Sequence, residues 1–217
     1  MTSASLRITI YLAVSLIVGM IVREYARASA ASRLGDPTPK LWGRLTWNPR
    51  VWFDPFGSAL LPGLILVLWL ASSSFLPPPF AYAKPAPVDT GYLRRQPRDT
   101  VIVGLAGPLA TIALAAMAGL ALRVAPDGEL GLSLAVFQFA NLCLAIFHLL
   151  PIPGLDGARL VALVLPDRAR ETYRNLDQYL ALFILATLFL LGGPVQSIVY
   201  ALVNALCGVF GGVSCRP

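Results

Sequence analysis

Five consecutive residues carry the densest chemistry in this chain: Arg23-Glu24-Tyr25-Ala26-Arg27, at the end of an apolar run. Two arginines at i and i+4 share one face of a helix, and Arg27 lies one turn from Glu24. Two further residues could do chemistry: Asp156, in the stretch PIPGLDG, and His148, the single histidine. Arginine stays protonated and only donates hydrogen bonds, so it cannot ligate a metal but neutralises a carboxylate well. A lone charge at the centre of a bilayer costs about 2.5–3.5 kcal/mol even on the lenient insertion scale, so buried charges are expected to pair. From the residues alone, Arg23 and Arg27 read most simply as cationic anchors at a helix end.

Apolar helices must position these residues. The 217 residues are 57% hydrophobic and only 13% charged, with a net charge of +6, where soluble domains carry roughly a quarter charged residues. Mean hydropathy is +0.70. The surplus apolar surface is expected to face lipid, as a single membrane domain over 1–217. The basic residues cluster at 23–50, 84–98 and 159–174, beside apolar runs, in the manner of topology signals. They form no stripe interleaved with exposed aromatics, so nucleic acid is not expected as a partner.

The first apolar run, Ile8 to Val22, is expected to continue as an uncleaved helix through REYARASAASRL and to stop at Gly35, with Pro37 just beyond. A signal peptide cut near Ala28-Ser29-Ala30 is the alternative, opposed by Arg23 and Arg27. Further apolar runs cover 56–76 (broken by Pro62-Gly63), about 100–124, about 132–150, about 178–191 and about 195–210, giving five to six membrane segments. Residues 36–55 read as loop with a short β element near 41–53, and another is possible at 80–88. Trp42, Trp47, Trp52 and Phe53 are expected at the membrane interface. All three basic clusters prefer the cytoplasm, so segment 56–76 would begin and end on one side. It is then re-entrant or a bent hairpin, unless one basic loop is misplaced.

The order of these features resembles the site-2 protease family of intramembrane zinc metalloproteases, over about residues 8–165. REYAR stands in the slot of the family's HExxH. RLGDPT (Arg33 to Thr38), GRLTWNP (Gly43 to Pro49), DPFG (Asp54 to Gly57), AKPAPV ending at Val88 and LAGPLA (Leu105 to Ala110) follow in order. Then come Asn141 and HLLPIPGLDG, His148 to Gly157, where the family has N-x-x-P-x-P-x-L-D-G. The resemblance implies an all-α polytopic membrane protein with a short β element, its core over 8–165 and C-terminal membrane segments over 178–212.

In the family two histidines at i and i+4 grip one zinc, the later aspartate is the third ligand, and the glutamate takes a proton from metal-bound water. Here Arg23 and Arg27 replace both histidines, so a His₂Asp site is impossible and no metal cofactor is expected. Glu24 matches the base position and is expected to be vestigial. Asp156 is the residual ligand position, and Arg23, Arg27, Asn141, His148 and Asp156 would line the groove. The resemblance thus implies that the two guanidiniums replace the metal's charge, in an ion-paired plug of Arg23 and Arg27 with Glu24 and Asp156. The alternative is a metal site of His148, Asp156 and Glu24, since one histidine and two carboxylates form a legitimate zinc set, although two neighbouring cations would oppose that ion electrostatically.

The implied function is that of a catalytically silent homologue whose groove binds a partner's transmembrane helix or regulates an active protease. The alternatives are an intramembrane zinc metallopeptidase with atypical ligands, acting in regulated intramembrane proteolysis, and a structural subunit of a membrane complex. Lipids are the expected surroundings, and the Ala/Arg/Leu-rich usage suggests a bacterial cytoplasmic membrane. Plainer readings stand beside these. The arginines could be snorkelling anchors, Glu24 a simple salt bridge to Arg27, His148 a packed polar residue, and Asp156 the cap of a turn.

Overall fold

Lipid offers backbone amides no water, so apolar runs of this length resolve as helices that satisfy their own hydrogen bonds. The computed structural model describes residues 3–71, 77–124, 127–190 and 192–211. In chain order the helices are α1 (Ser3–Arg33), the single turns α2 (Thr38–Leu41) and α3 (Pro49–Trp52), a π-helical turn Pro55–Leu60 running into α4 (Leu61–Ala71), α5 (Arg98–Leu122), α6 (Glu129–His148), α7 (Asp156–Val164), α8 (Asp167–Asn175), α9 (Leu180–Leu190) and α10 (Gly192–Gly211). Four of them, α1, α5, α6 and α10, are long and apolar enough to cross a membrane. The protein is an all-α polytopic membrane protein.

The core is a bundle in which α5 packs on both α1 and α6, with α10 laid against α5 and α6. From Val136 to His148 α6 is buried almost throughout, so it is the central helix. Outward-facing Leu6, Ile10, Val14 and Ile17 on α1 suit a lipid-facing stripe. At its C-terminus α1 closes as the sequence predicts. Gly35 takes φ +115°, and Asp36 N–H bonds back to Ala31 O at 3.0 Å, the six-to-one bond of a Schellman motif. The buried Asp36 carboxylate then accepts from the amides of Thr38 and Asp89, both at 2.9 Å, pinning two loops together.

The described parts of segment 55–84, residues 55–71 and 77–84, run out and back. The π-turn and α4 contain six and eleven residues and rise about 25 Å, short of the ~30 Å hydrocarbon core. The chain then returns extended: Tyr82 N–H donates to Gly57 O at 3.0 Å and Lys84 N–H to Trp52 O at 2.8 Å. Entry and exit therefore lie at the same level. Residues 72–76 of the expected segment 56–76 fall outside the described residues.

Two expectations are corrected. No strand forms among the described residues. Over 41–53 the chain makes a helical turn instead, because Asn48 caps it, accepting from Arg50 N–H at 3.1 Å, and Pro49 fits the first helical position. The stretch 80–88 is extended but unpaired as a strand, its buried Phe80, Ala81, Ala83 and Ala86 packing into the core. Trp52 is 1% exposed, not interfacial: its indole donates to Thr46 O at 2.9 Å and Arg44 lies 5.4 Å over its ring. Trp42, Trp47 and Phe53 are exposed as expected.

Candidate functional site

Six turns of apolar helix deliver Arg23, Glu24 and Arg27 to the middle of the bundle, and the turn after α6 delivers Asp156 as the first residue of α7. All four side chains are at most 5% exposed. One guanidinium bridges both carboxylates: Arg23 Nη1 bonds Glu24 Oε1, and Nη2 bonds Asp156 Oδ2. Arg27 sits further off, 3.6 Å from Glu24 Oε2 and 3.9 Å from Asp156 Oδ1. The dominant partner of Glu24 is thus its neighbour Arg23, not Arg27 one turn on. Glu24 Oε2 also accepts from Ala86 N–H at 2.8 Å, and Arg27 Nη2 donates to Ala86 O at 3.4 Å. A single residue of the extended return leg is therefore held at both of its main-chain polar groups.

Two glycines make this geometry possible. A Cβ at Gly107, in LAGPLA of α5, would lie 2.9 Å from Arg23 Cγ, so its absence gives the arginine stem its channel. A Cβ at Gly157 would lie 2.1 Å from Leu149 O and 2.3 Å from Leu150 O. Only glycine lets α7 start against the end of α6, which is what aims Asp156 inward.

His148 and Asn141 lie two turns apart on one face of α6. His148 Nδ1 contacts Leu144 O at 2.7 Å, its ring tilts over Phe80 at 4.9 Å between centroids, and Nε2 has no partner. The Asn141 amide donates to Phe137 O at 2.9 Å within its own helix. Its Oδ1 is unpartnered and fills the space left by Gly19 on α1, where a Cβ would lie 2.5 Å away. Neither side chain bonds the charged cluster. Among the described residues no three His, Cys, Asp or Glu side chains gather into a group able to hold a metal ion. The alternative set of His148, Asp156 and Glu24 is not assembled, since Arg23 takes both carboxylates and His148 turns to its own helix. The donors present do not fit a zinc ion.

Three contributors escaped sequence reasoning. Ala86 acts through its backbone, which no side-chain pattern announces. Gly107 and Gly157 lie in LAGPLA and PIPGLDG, stretches that carry the resemblance without a role for either glycine.

Comparison with known proteins supplies the relatives. A Bacillus subtilis (strain 168) protein named "Putative zinc metalloprotease YwhC" is 32% identical over 179 residues, spanning 78% of this chain and 75% of its own length. A Mycobacterium tuberculosis (H37Rv) protein with the same description and the name Rip2 is 34% identical over 201 residues, spanning 89% of this chain and 72% of its own length. No family model matches the chain, and neither does any solved structure.

Proposed function

Since this chain belongs to the site-2-protease-like family of zinc metalloprotease homologues, we propose that it keeps the family's membrane groove without its hydrolytic chemistry. One observation carries this reading: the Arg23 guanidinium binds Glu24 and Asp156 at once. These are the positions of the family's base and third ligand. A permanent cation there neutralises both carboxylates and presents no lone pair to a metal. Two guanidiniums against two carboxylates leave the set neutral, as a divalent ion with a neutral His pair would. The groove then serves as a receptor, scaffold or competitor that engages a transmembrane helix of a partner protein in a bacterial cytoplasmic membrane.

The test is elemental analysis of protein purified from membranes without chelator, alongside a cleavage assay on single-span substrates. The expected result is substoichiometric zinc and no cleavage, with capture of a single-span helix by photo-crosslinkers placed at the exposed positions Ile17 of α1 or Leu109 of α5. Stoichiometric zinc lost on Asp156→Ala, or metal-dependent cleavage, would overturn the proposal in favour of an atypical metallopeptidase.

A further inference from the structure

Behind the charged cluster lies a cavity of about 490 Å³, within the size range of small-molecule sites. Its walls come from the 88–100 segment, from α7 and α8, and from Asp177 beyond α8. Pro97 and Thr100, at the first turn of α5, line it. α5 is long and apolar enough to cross a membrane, and the first turn of such a helix, with basic residues beside it, is where lipid headgroups are met. The surrounding Arg94, Arg95 and Arg98 are exposed.

Most polar groups of the cavity are already committed. Arg170 donates to Ala162 O at 2.7 Å and to Leu165 O at 3.0 Å, satisfying the last carbonyls of α7. Tyr173 OH donates to Pro151 O at 2.8 Å, and Asp177 accepts from Gly154 N–H at 2.7 Å. Gln96 donates to Thr90 O. Arg159 is different. It lines the cavity, it is half-buried, and its guanidinium makes no hydrogen bond or ion pair with any described residue.

A half-buried guanidinium that bonds no described residue, in a cavity with exposed arginines beside it, has the chemistry of a phosphate site. We propose that this cavity binds a phosphate group, supplied by the headgroup of an anionic membrane lipid, with Arg159 as its principal ligand. The five donors of the guanidinium fork suit a phosphodiester, and the hydroxyls of Thr90 and Thr100 lie on the same wall. The exposed arginines of the rim draw the anionic headgroup toward the opening, and Arg159 holds it.

The experiment uses the full chain in nanodiscs of phosphatidylcholine, titrated with phosphatidylglycerol, and in separate samples with inorganic phosphate. Retained lipid is read by native mass spectrometry and stability by Tm. The expected result is preferential retention of phosphatidylglycerol and a rise in Tm. Arg159→Gln should weaken that preference about tenfold or more, as loss of a charge-assisted bond does. Arg159→Lys should restore part of it, and Arg94→Gln should change it little. Leu163→Trp, which fills the cavity and leaves Arg159 in place, should abolish it and decides the matter if Arg159→Gln does not fold. Phosphate binding that depends on Arg159 without any phosphatidylglycerol preference supports the phosphate site and assigns it a soluble source. Equal retention of both lipids with no phosphate response, or an unchanged preference in Arg159→Gln and Leu163→Trp, would overturn the proposal.

Discussion

The carboxylate of Asp156 and the guanidinium of Arg23, 133 positions apart in the chain, meet as an ion pair in which the side chains are 1% and 5% exposed. Removing one partner of such a buried pair strands the other charge. Asp156→Ala is therefore expected to destabilise by roughly 3–5 kcal/mol, while replacing a whole buried set by apolar residues is often close to neutral. The combined variant Arg23→Met/Glu24→Leu/Arg27→Met/Asp156→Leu, which leaves no member of the set unpaired, should then melt above Asp156→Ala. Thermal melts in detergent check this, and additive losses would count against the cluster as a coupled unit.

Restoring the histidines tests what the arginines do. In Arg23→His/Arg27→His the two imidazoles share the face that now carries guanidiniums, and Asp156 is already aimed at them. We expect this double variant to take up zinc near one per chain and to lose Tm on dialysis against a chelator, while the parent melts identically with and without chelator. Elemental analysis and paired melts read the outcome. A variant that folds and stays zinc-free would show that more than the two side chains excludes the metal.

Gly157 should tolerate nothing larger. A methyl group there would collide with two carbonyl oxygens of the α6 terminus, backbone that cannot swing aside, so Gly157→Ala is expected to cost about 1–3 kcal/mol or more. Gly63 in α4 is the contrast. A Cβ there meets nothing within 4 Å, and Gly63→Ala should be neutral or stabilising by up to ~1 kcal/mol. Similar melts for both variants would refute the close-approach argument.

The path out and back makes a labelling prediction. Phe53 and Lys84 flank segment 55–84, and both are exposed. In a background with the native cysteines replaced, Phe53→Cys and Lys84→Cys should react with a membrane-impermeant maleimide from the same side of sealed vesicles. Labelling from opposite sides would mean that the segment crosses.

Much of this architecture was legible because its causes are local. The apolar runs and the stop at Gly35 follow from hydropathy and backbone chemistry, whereas the break expected at Pro62-Gly63 does not occur, since α4 runs from Leu61 to Ala71 through both residues and a proline in the first turn of a helix is tolerated. That four buried charges must pair follows from the cost of isolating any one in lipid. The roles within the set were not legible. Arg23 leads over Arg27 because Gly107, on another helix, leaves room for its stem, and no spacing in α1 encodes that. The short β element failed for a local reason of its own, the Asn48-Pro49 cap, which starts a helical turn. Trp52 looked interfacial among exposed aromatics until Thr46 O and Arg44 gave its indole and ring face an interior home.

The grip on Ala86 reaches further than the site itself. Glu24 and Arg27 hold this residue by main-chain groups alone, so the contact is indifferent to which side chain stands there. The loop is thus seated in the way a visiting strand would be, and any outside segment seeking those two side chains must first unseat the protein's own chain.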